Sequence, residues 1–290
     1  MKLGRIIYLG YDFKKADFQK LARFRRYVTE NHQLSPTAQW KDLISSALKY
    51  NVSFDDYYLF RFYEKDATER QKWAGTGTMY EYQKIMNPPQ HRPTLVHKPS
   101  FHKMYSRFIR HRMYERKELE QDLRKAEELL QSPSGKVVLK PADGQCGRGI
   151  EILDSGTLTP ASLMARMKAS GNEVAEEYVV QHDQLNRLSP TGLNTVRIIT
   201  QLDNHDEVHI LGARLRISVN SMVDNLAAGN LVAGIDLETG IVNTPAVYSD
   251  ITKPEVTVHP VTHQRITGFE IPYWSQSLDM VKDAARMWSL

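Results

Sequence analysis

The sequence contains one cysteine, Cys146, among its 290 residues. No internal disulfide can form, so a fold built on disulfides is excluded and we expect a reducing compartment. Long hydrophobic runs are missing too, since no stretch approaches the roughly 18 apolar residues that a membrane-spanning helix needs. The apolar stretch at the N-terminus is too short for a signal peptide and continues directly into charged residues. These absences predict a cytoplasmic protein without a membrane span.

The chain also lacks a strong excess of one charge. Its formal net charge is +4, with 25% charged and 41% hydrophobic residues. This composition is ordinary for a globular protein, and the length suffices for one large domain or two to three small lobes. The weak basic balance is compatible with a phosphate-rich ligand or an acidic substrate. It is too weak to indicate a nucleic-acid partner.

The first third of the sequence has the pattern of a helical region. Apolar residues at helical spacing predict helices over residues 15–31 and Ala38–Tyr50. The first of these has a basic face, which we interpret as solvated, with an acidic lipid or polysaccharide surface as the alternative. The prolines of Asn87–Pro93 then indicate a linker or a domain edge.

The remainder of the sequence alternates strand and helix patterns. Short apolar runs predict strands at Leu95–Lys98 and Val174–Gln181, and Tyr114–Leu130 has the composition of a long helix. Asn194–Leu202 and Val208–Ile217 form a predicted β-hairpin. A helix beginning after Thr159 and a C-terminal helix complete the pattern.

A glycine-rich loop lies between two apolar runs in the middle of the chain. Both runs, Lys136–Leu139 and Ile150–Leu153, have the length and composition of strands. The loop lacks the Gly-Lys-Ser/Thr of a Walker A motif, and a strand follows where a dinucleotide fingerprint requires a helix. It fits either an ordinary turn or a flap that closes over a nucleotide triphosphate.

The residues of the loop are suited to an anion. Gly144, Gly147 and Gly149 have no Cβ, so the backbone can adopt positive φ and bring successive N–H groups together. Lys140 and Arg148 add positive charge on either side. The choice between turn and flap therefore depends on what lies downstream.

Several downstream residues could serve a nucleotide. The extended segment that begins at Glu177 could act as a hinge whose peptide groups pair with an adenine edge. Arg197 lies in the first strand of the hairpin, and Arg214 and Arg216 share one face of the second. An ion-paired surface arginine is the ordinary alternative for each. Together with Asn225 in the next loop, however, they are the donors that clamp a transferring phosphoryl group.

Six segments of the chain resemble the ATP-grasp superfamily: KPADGQCGRGI, EEYVVQH, NTVRIIT, GARLRI, VDNLAAGNLVAGID and GFEIPYW. The closest resemblance is to the sugar-transfer-associated ATP-grasp proteins, which are similar to ribosomal-protein glutamate ligases and D-alanine:D-alanine ligase. It covers roughly residues 95–290.

This resemblance implies an α+β protein with the ATP-grasp fold, in which two α+β lobes enclose ATP. We expect residues 1–94 to form a mainly helical N-terminal region. Residues 95–175 would form the small lobe with the glycine-rich flap, and residues 176–290 the large lobe, which we expect to be incomplete at the C-terminus.

The resemblance also implies roles for individual residues. Lys140 matches the lysine that contacts the α- and β-phosphates and adenine N7. Lys103 matches the earlier nucleotide-binding lysine, with Lys98 as the second choice. The remaining implied nucleotide contacts are Glu177 and Val179 at the adenine and Gly144, Gly147, Arg148 and Gly149 in the flap. The residues implied for the γ-phosphate and an acyl-phosphate intermediate are Arg197, Arg214 and Asn225.

The implied activity is that of an ATP-dependent carboxylate–amine ligase with ATP and Mg²⁺ as cofactors. Its substrates would be a small-molecule carboxylate and an amine, such as a sugar acid and an amino acid, in cell-surface polysaccharide or sugar-conjugate biosynthesis. Two alternatives remain open. One is an ATP-dependent phosphotransferase, and the other is a non-catalytic nucleotide-binding module.

The metal ligands of the family have no counterpart near the C-terminus of this sequence. Those ligands are an aspartate followed by a glutamate-x-asparagine motif. Asp236 and Glu238 are carboxylates of the right type, but their turn-forming context favours a structural role. The metal ligands are therefore unassigned, and their absence favours the nucleotide-binding module among the alternatives.

Overall fold

The computed structural model describes residues 3–143 and 149–287. Within these residues the chain is an α+β protein with thirteen α-helices and two antiparallel sheets. It divides into two compact units. The helical unit comprises residues 1–91 with 249–254, and the mixed unit comprises residues 92–248 with 255–290. No helix in the described ranges has the length and apolarity to cross a membrane.

The helical unit is built around an aromatic core. Phe24, Phe54, Tyr57 and Phe62 are fully buried. The predicted helices at residues 15–31 and Ala38–Tyr50 are confirmed, and local chemistry fixes their ends. For example, the Asp17 carboxylate caps the second helix by accepting from two backbone N–H groups. The helices are α1 (Leu3–Lys15), α2 (Phe18–His32), α3 (Pro36–Tyr50), α4 (Phe54–Leu59), α5 (Ala67–Arg70) and α6 (Thr76–Met86).

The first part of the mixed unit is a four-stranded antiparallel sheet in the order β1-β4-β2-β3. Its strands are β1 (Met113–Glu115), β2 (Lys136–Lys140), β3 (Glu151–Asp154) and β4 (Val174–Glu177). Its helices are α7 (Arg92–Val96), α8 (Lys98–Met104), α9 (Arg116–Gln121), α10 (Leu123–Leu130) and α11 (Pro160–Ser170). One face of the sheet packs Val137, Leu139 and Ala175 against the last three of these helices. The strands predicted on either side of the glycine-rich loop are confirmed.

Two sequence predictions in this region are wrong. Leu95–Lys98 is helical at both ends and contains no strand. The reason is a cap, since the His97 ring accepts from the backbone N–H of Ser100 and starts α8. The long helix predicted at Tyr114–Leu130 is a strand end and two helices. Asp122 separates them, because it is extended and its carboxylate caps α10 by accepting from Arg124 N.

The second part of the mixed unit is a three-stranded antiparallel sheet of β5 (Thr195–Leu202), β6 (Val208–Ile217) and β7 (Leu231–Ile235), in that order. The predicted hairpin is therefore confirmed. The strand predicted at Val174–Gln181 is shorter and ends at Glu177. Two further helices are α12 (Asp183–Leu188) and α13 (Trp274–Arg286). Leu215 and Ala233 on one face of the sheet are buried with Trp274 of α13, which leaves the other face exposed.

Candidate functional site

Two lysines converge on the face of the four-stranded sheet that lies opposite α9, α10 and α11. Lys140 ends β2, and its Nζ contacts a carboxylate oxygen of Glu176 on β4. Lys98 begins α8, and its Nζ donates to the carbonyl oxygens of Pro141 (2.9 Å) and Ala142 (3.2 Å). These carbonyls directly follow Lys140 in the chain. We call Lys98, Lys140 and Glu176 the lysine cluster.

Strand alternation explains why the cluster forms on this face. Leu139 and Ala175 are directly paired in the sheet and point into the helical core. Their neighbours Lys140 and Glu176 must therefore point to the opposite side. The side chain of Glu176 is only 11% exposed and that of Lys140 only 18% exposed, so this ion pair is largely shielded from water.

The electrostatics of the cluster favour an anion. Burial lowers the pKa of Lys98, and the positive charge of Lys140 lowers it further, with Asp143 and Glu176 opposing in part. Burial alone would raise the pKa of Glu176, but the nearby His111 ring and the charge of Lys140 bring it below its ordinary value. The cluster thus holds two partly desolvated cations against one buried carboxylate. A phosphate group would offset the surplus positive charge.

An open cleft of about 550 Å³ adjoins the lysine cluster. It is lined by residues 108–111, 132–134 and 177–180. His111 connects the two features, because it lines the cleft and its Nε2 lies 3.6 Å from a carboxylate oxygen of Glu176. Val179 and Val180 follow β4 as an exposed segment of irregular backbone. The volume is within the range of clefts that hold small-molecule ligands.

Glu177 forms the edge of this cleft. Its carboxylate accepts from the backbone N–H of Arg112 at 2.8 Å, and its own N–H donates to the carbonyl of Arg112 at 3.0 Å. A guanidinium nitrogen of Arg112 lies 3.5 Å from the same carboxylate. Glu177 therefore fastens the residue that precedes β1 to the start of Glu177–Val180, the predicted hinge. Its contact with adenine remains a prediction.

A second group of cations lies on the exposed face of the three-stranded sheet. Arg197 on β5 and Arg214 on β6 are direct cross-strand partners, and both are exposed. Directly opposed residues share a face, and like charges in such a pair repel each other. An anion between the two guanidinium groups would remove this repulsion. We call Arg197 and Arg214 the arginine pair.

Arg216 lies on the same face but already forms an ion pair with Asp224. Its Nη2 lies 2.9 Å from a carboxylate oxygen of Asp224, and its Nε donates to the Asp224 carbonyl at 3.3 Å. The Thr195 hydroxyl donates to the other carboxylate oxygen. Asp224 is buried and satisfied, so this pair anchors the loop between β6 and β7 to the sheet.

Asn225 sits in that loop, directly after the Asp224 that pairs with Arg216. Its side chain accepts from Ala227 N at 3.2 Å and caps a short 3-10 turn. Fully buried Asn230 fixes the loop around it, because its Oδ1 accepts from Val219 N (2.7 Å) and its Nδ2 donates to Val223 O (2.7 Å) and Asn225 O (2.9 Å). These hydrogen bonds fix the loop between β6 and β7.

A buried polar network, which the sequence did not reveal, links the hinge to the three-stranded sheet. The side-chain oxygen of Gln181, which directly follows the predicted hinge Glu177–Val180, accepts from the backbone N–H and the side-chain amide of Asn194. The Asn194 oxygen accepts from Ser218 N at 2.8 Å. Buried His259 donates from Nε2 to Ser218 O at 2.9 Å, since its Nδ1 accepts from Thr262 N. The signal in the sequence was only a scatter of polar residues.

The turn carboxylates do not fit a magnesium site. Asp236 accepts from Glu238 N, Thr239 N and the Thr239 hydroxyl, and these bonds lower its pKa. Asp203, Glu207 and His209 cluster within 4.8 Å at the β5–β6 turn. One oxygen of Asp203 accepts from two backbone N–H groups of that turn, and the other contacts His209 at 2.9 Å. Asp236 and Asp203 therefore each stabilise a turn by accepting from its backbone N–H groups.

The remaining predicted site residues are placed as follows. Gly149 has a φ of 73°, in the left-handed region that favours glycine. Gly144, Gly147 and Arg148 lie outside the described residues. Lys103 is exposed on α8. The structure therefore brings Lys98, and not Lys103, to Lys140.

One comparison with known proteins matches the part of the chain that contains the lysine cluster and the arginine pair. A family model described as "Sugar-transfer associated ATP-grasp" matches residues 78–290. Comparisons with curated proteins and with solved structures gave no match. The matched region includes the lysine cluster, the hinge and the arginine pair, and leaves out α1 to α5.

Proposed function

Since the chain belongs to the sugar-transfer-associated ATP-grasp family, we propose that it is an ATP-dependent carboxylate–amine ligase acting through an acyl-phosphate. The observation that carries the proposal is the lysine cluster beside the hinge cleft. Two partly desolvated cations, connected through Glu176 and His111 to a cleft of ligand size, are suited to a nucleotide with several phosphates.

Each part of the cleft has a proposed role. The exposed peptide groups at Val179 would pair with the adenine edge, and Glu177 would hold the hinge in place. Lys98 and Lys140 would bind the α- and β-phosphates. On binding, Lys140 exchanges its contact with Glu176 for phosphate oxygens, and Glu176 keeps His111 as a partner. The flap glycines and Arg148 would cover the nucleotide.

The arginine pair would serve the transferred group. ATP supplies a γ-phosphoryl group that turns a carboxylate into an acyl-phosphate, and an amine then displaces phosphate from it. Arg197, Arg214 and the Asn225 amide would donate hydrogen bonds to the oxygens on which negative charge develops. Catalysis would then consist of positioning and charge stabilisation, so no nucleophilic side chain is required.

The metal assignment remains open. Family resemblance implies Mg²⁺ alongside ATP, but Asp224, Asp236 and Asp203 already satisfy internal partners. No metal ligand is therefore assigned among the described residues. The proposed substrates are a sugar acid and an amino acid or another small amine, used for cell-surface polysaccharide or sugar conjugates.

Nucleotide binding is tested with Lys140→Ala. We expect about 10- to 100-fold weaker ATP binding by calorimetry, because a charge-assisted contact to phosphate is lost. Lys168→Ala, which removes an exposed lysine of α11 in the same unit, should bind like the parent. Unchanged affinity in Lys140→Ala would contradict the proposed nucleotide site.

The reaction is tested by product analysis. The protein is incubated with ATP, Mg²⁺ and panels of carboxylates and amines, and the products are identified by mass spectrometry. ADP together with an amide supports a ligase. ADP with a stable phosphorylated product would identify a phosphotransferase, and ATP binding without ADP release would identify a nucleotide-binding module.

A further inference from the structure

The first helix of the chain is attached to the helical unit by its polar side. The Arg5 guanidinium in α1 donates to the carbonyl oxygens of Leu48 (3.2 Å) and Lys49. The Asp12 carboxylate accepts from Phe54 N at 2.7 Å. Leu9 is partly buried against the aromatic core. A surface helix normally does the reverse, with its apolar side inward and its charges in water.

The apolar side of α1 is correspondingly exposed. Ile7 is 66% exposed, Tyr11 57% and Phe13 56%. The Phe13 ring meets the exposed Phe18 ring of α2 edge-on, with centroids 5.1 Å apart. We call this set the α1 surface. It consists of Ile6, Ile7, Tyr11, Phe13 and Phe18.

A glycine on the same side of α1 leaves the surface open. Gly10 follows Ile6 by four residues and Ile7 by three, so it lies between them on the helix. A Cβ at Gly10 would meet no other atom within 4 Å. Glycine inside a helix lowers stability by about 0.5–1 kcal/mol relative to alanine. Packing within the helical unit does not require a glycine at position 10.

Basic residues accompany the α1 surface. Lys14 and Lys15 are exposed in the last turn of α1, and the Lys15 ammonium lies 5.9 Å from the Tyr11 ring centroid. The helical unit contains sixteen lysines and arginines against eleven aspartates and glutamates. The mixed unit contains twenty-two against twenty-three. The net positive charge of the whole chain therefore comes from the unit that carries the α1 surface.

From this combination we infer that the α1 surface binds a lipid bilayer containing anionic headgroups. The apolar side chains enter the boundary between headgroups and acyl chains, and the lysines meet the headgroup phosphates. A second copy of the chain fits less well, because two such units would bring like charges together. The inference uses only the helical unit and does not depend on the proposed nucleotide site.

Vesicle co-sedimentation of the full chain tests this inference. Vesicles of phosphatidylcholine and phosphatidylserine in roughly a 3:1 molar ratio should bind the protein, and phosphatidylcholine alone should bind it several-fold more weakly. Ile7→Glu should weaken binding about tenfold, since it places a charge in the apolar surface. The double variant Lys14→Glu/Lys15→Glu should weaken binding to anionic vesicles and leave the weak neutral binding unchanged. Added salt should also weaken the binding of the parent protein to anionic vesicles.

A matched control separates the surface from general charge effects. Met280→Glu makes the same kind of change at an exposed apolar helix residue of the mixed unit, 44% exposed, and should keep the parent binding. Circular dichroism shows that each variant is folded.

Four results would overturn the inference. They are no binding to anionic vesicles, equal binding to both kinds of vesicle, parental binding by Ile7→Glu, and an equal loss in Met280→Glu. Self-association that Ile7→Glu abolishes, without vesicle binding, would assign the surface to a second copy instead.

Discussion

At the scale of single residues, the choice between two neighbouring lysines decides how the nucleotide site is built. Family resemblance favours Lys103, but the structure turns Lys98 toward the carbonyls that follow Lys140. Lys98 also has a lowered pKa, caused by burial and by the charge of Lys140. Lys103 is exposed to solvent. We therefore propose Lys98 as the second phosphate-binding lysine.

This proposal predicts a pH dependence. Only the ammonium form of Lys98 attracts phosphate, so ATP affinity should fall as pH rises through the lowered pKa of Lys98, beginning below its ordinary value of 10.5. Binding measured across alkaline pH by calorimetry, with folding followed by circular dichroism, checks the direction. Lys98→Met should bind ATP about tenfold more weakly and lose this part of the pH dependence.

Lys103→Met is the matched control and should behave like the parent protein. If Lys103→Met weakens binding as much as Lys98→Met does, the resemblance has identified the lysine better than the geometry has.

Glu176 shows why some site residues could not be predicted. Alternation along β4 is visible in the sequence and places Glu176 opposite buried Ala175. Its contact with Lys140 depends on which strands pair, and β2 and β4 are separated in the chain by β3 and α11. Local spacing does not contain that information. The arginine pair was predictable in part, since alternation placed Arg214 and Arg216 on one face, but only the register of β5 and β6 brings Arg197 opposite Arg214.

At the scale of elements, the loop between β6 and β7 depends on one buried asparagine. Asn230 is fully buried and bonds to three backbone groups, including the carbonyl of Asn225. Removing its amide leaves these backbone groups without their side-chain partner. The position of Asn225 therefore depends on Asn230.

Asn230→Ala should lower the free energy of unfolding by about 2–3 kcal/mol, because buried polar groups lose their hydrogen bonds. Urea denaturation measures this change. Asn243→Ala, at an exposed asparagine of the same unit, should change it by less than about 0.5 kcal/mol. Equal stability of the two variants would show that Asn230 does not fix the loop.

The helices and strands also show how far apolar spacing alone can predict secondary structure. Apolar spacing predicted α2, α3, the hairpin and the C-terminal helix, because each presents its apolar side to a core. The break at Asp122 was missed, since the helix-forming composition around it outweighed the capping preference of one aspartate. The helix α1 was not predicted. Its apolar residues lie on both sides of the helix, with Leu9 partly buried against the aromatic core and Ile6 and Ile7 exposed, so no single core-facing stripe identifies it.

At the scale of the whole molecule, the two units have separate hydrophobic cores. Thermal unfolding should therefore show two transitions. ATP should raise the midpoint temperature of only the mixed unit's transition, because ligand binding stabilises the unit that contains the binding site.

Phe24→Ala identifies the other transition. Phe24 is fully buried in the helical unit. Its truncation to alanine should lower the free energy of unfolding of that unit alone by about 3–5 kcal/mol. Differential scanning calorimetry records both effects. One transition that shifts as a whole with ATP and with Phe24→Ala would show that the units unfold together.

The helical unit is not continuous in the sequence. Ser249–Pro254 leaves the mixed unit and joins it, where Ile251 packs against the aromatic core and Asp250 pairs with Arg23 at 3.1 Å. During synthesis on the ribosome, the helices of residues 1–91 emerge before the mixed unit but lack this segment until more than 150 further residues have been made. The helical unit is thus begun before the mixed unit and completed only after most of it, and a nascent chain lacks the contact of Ile251 throughout that interval.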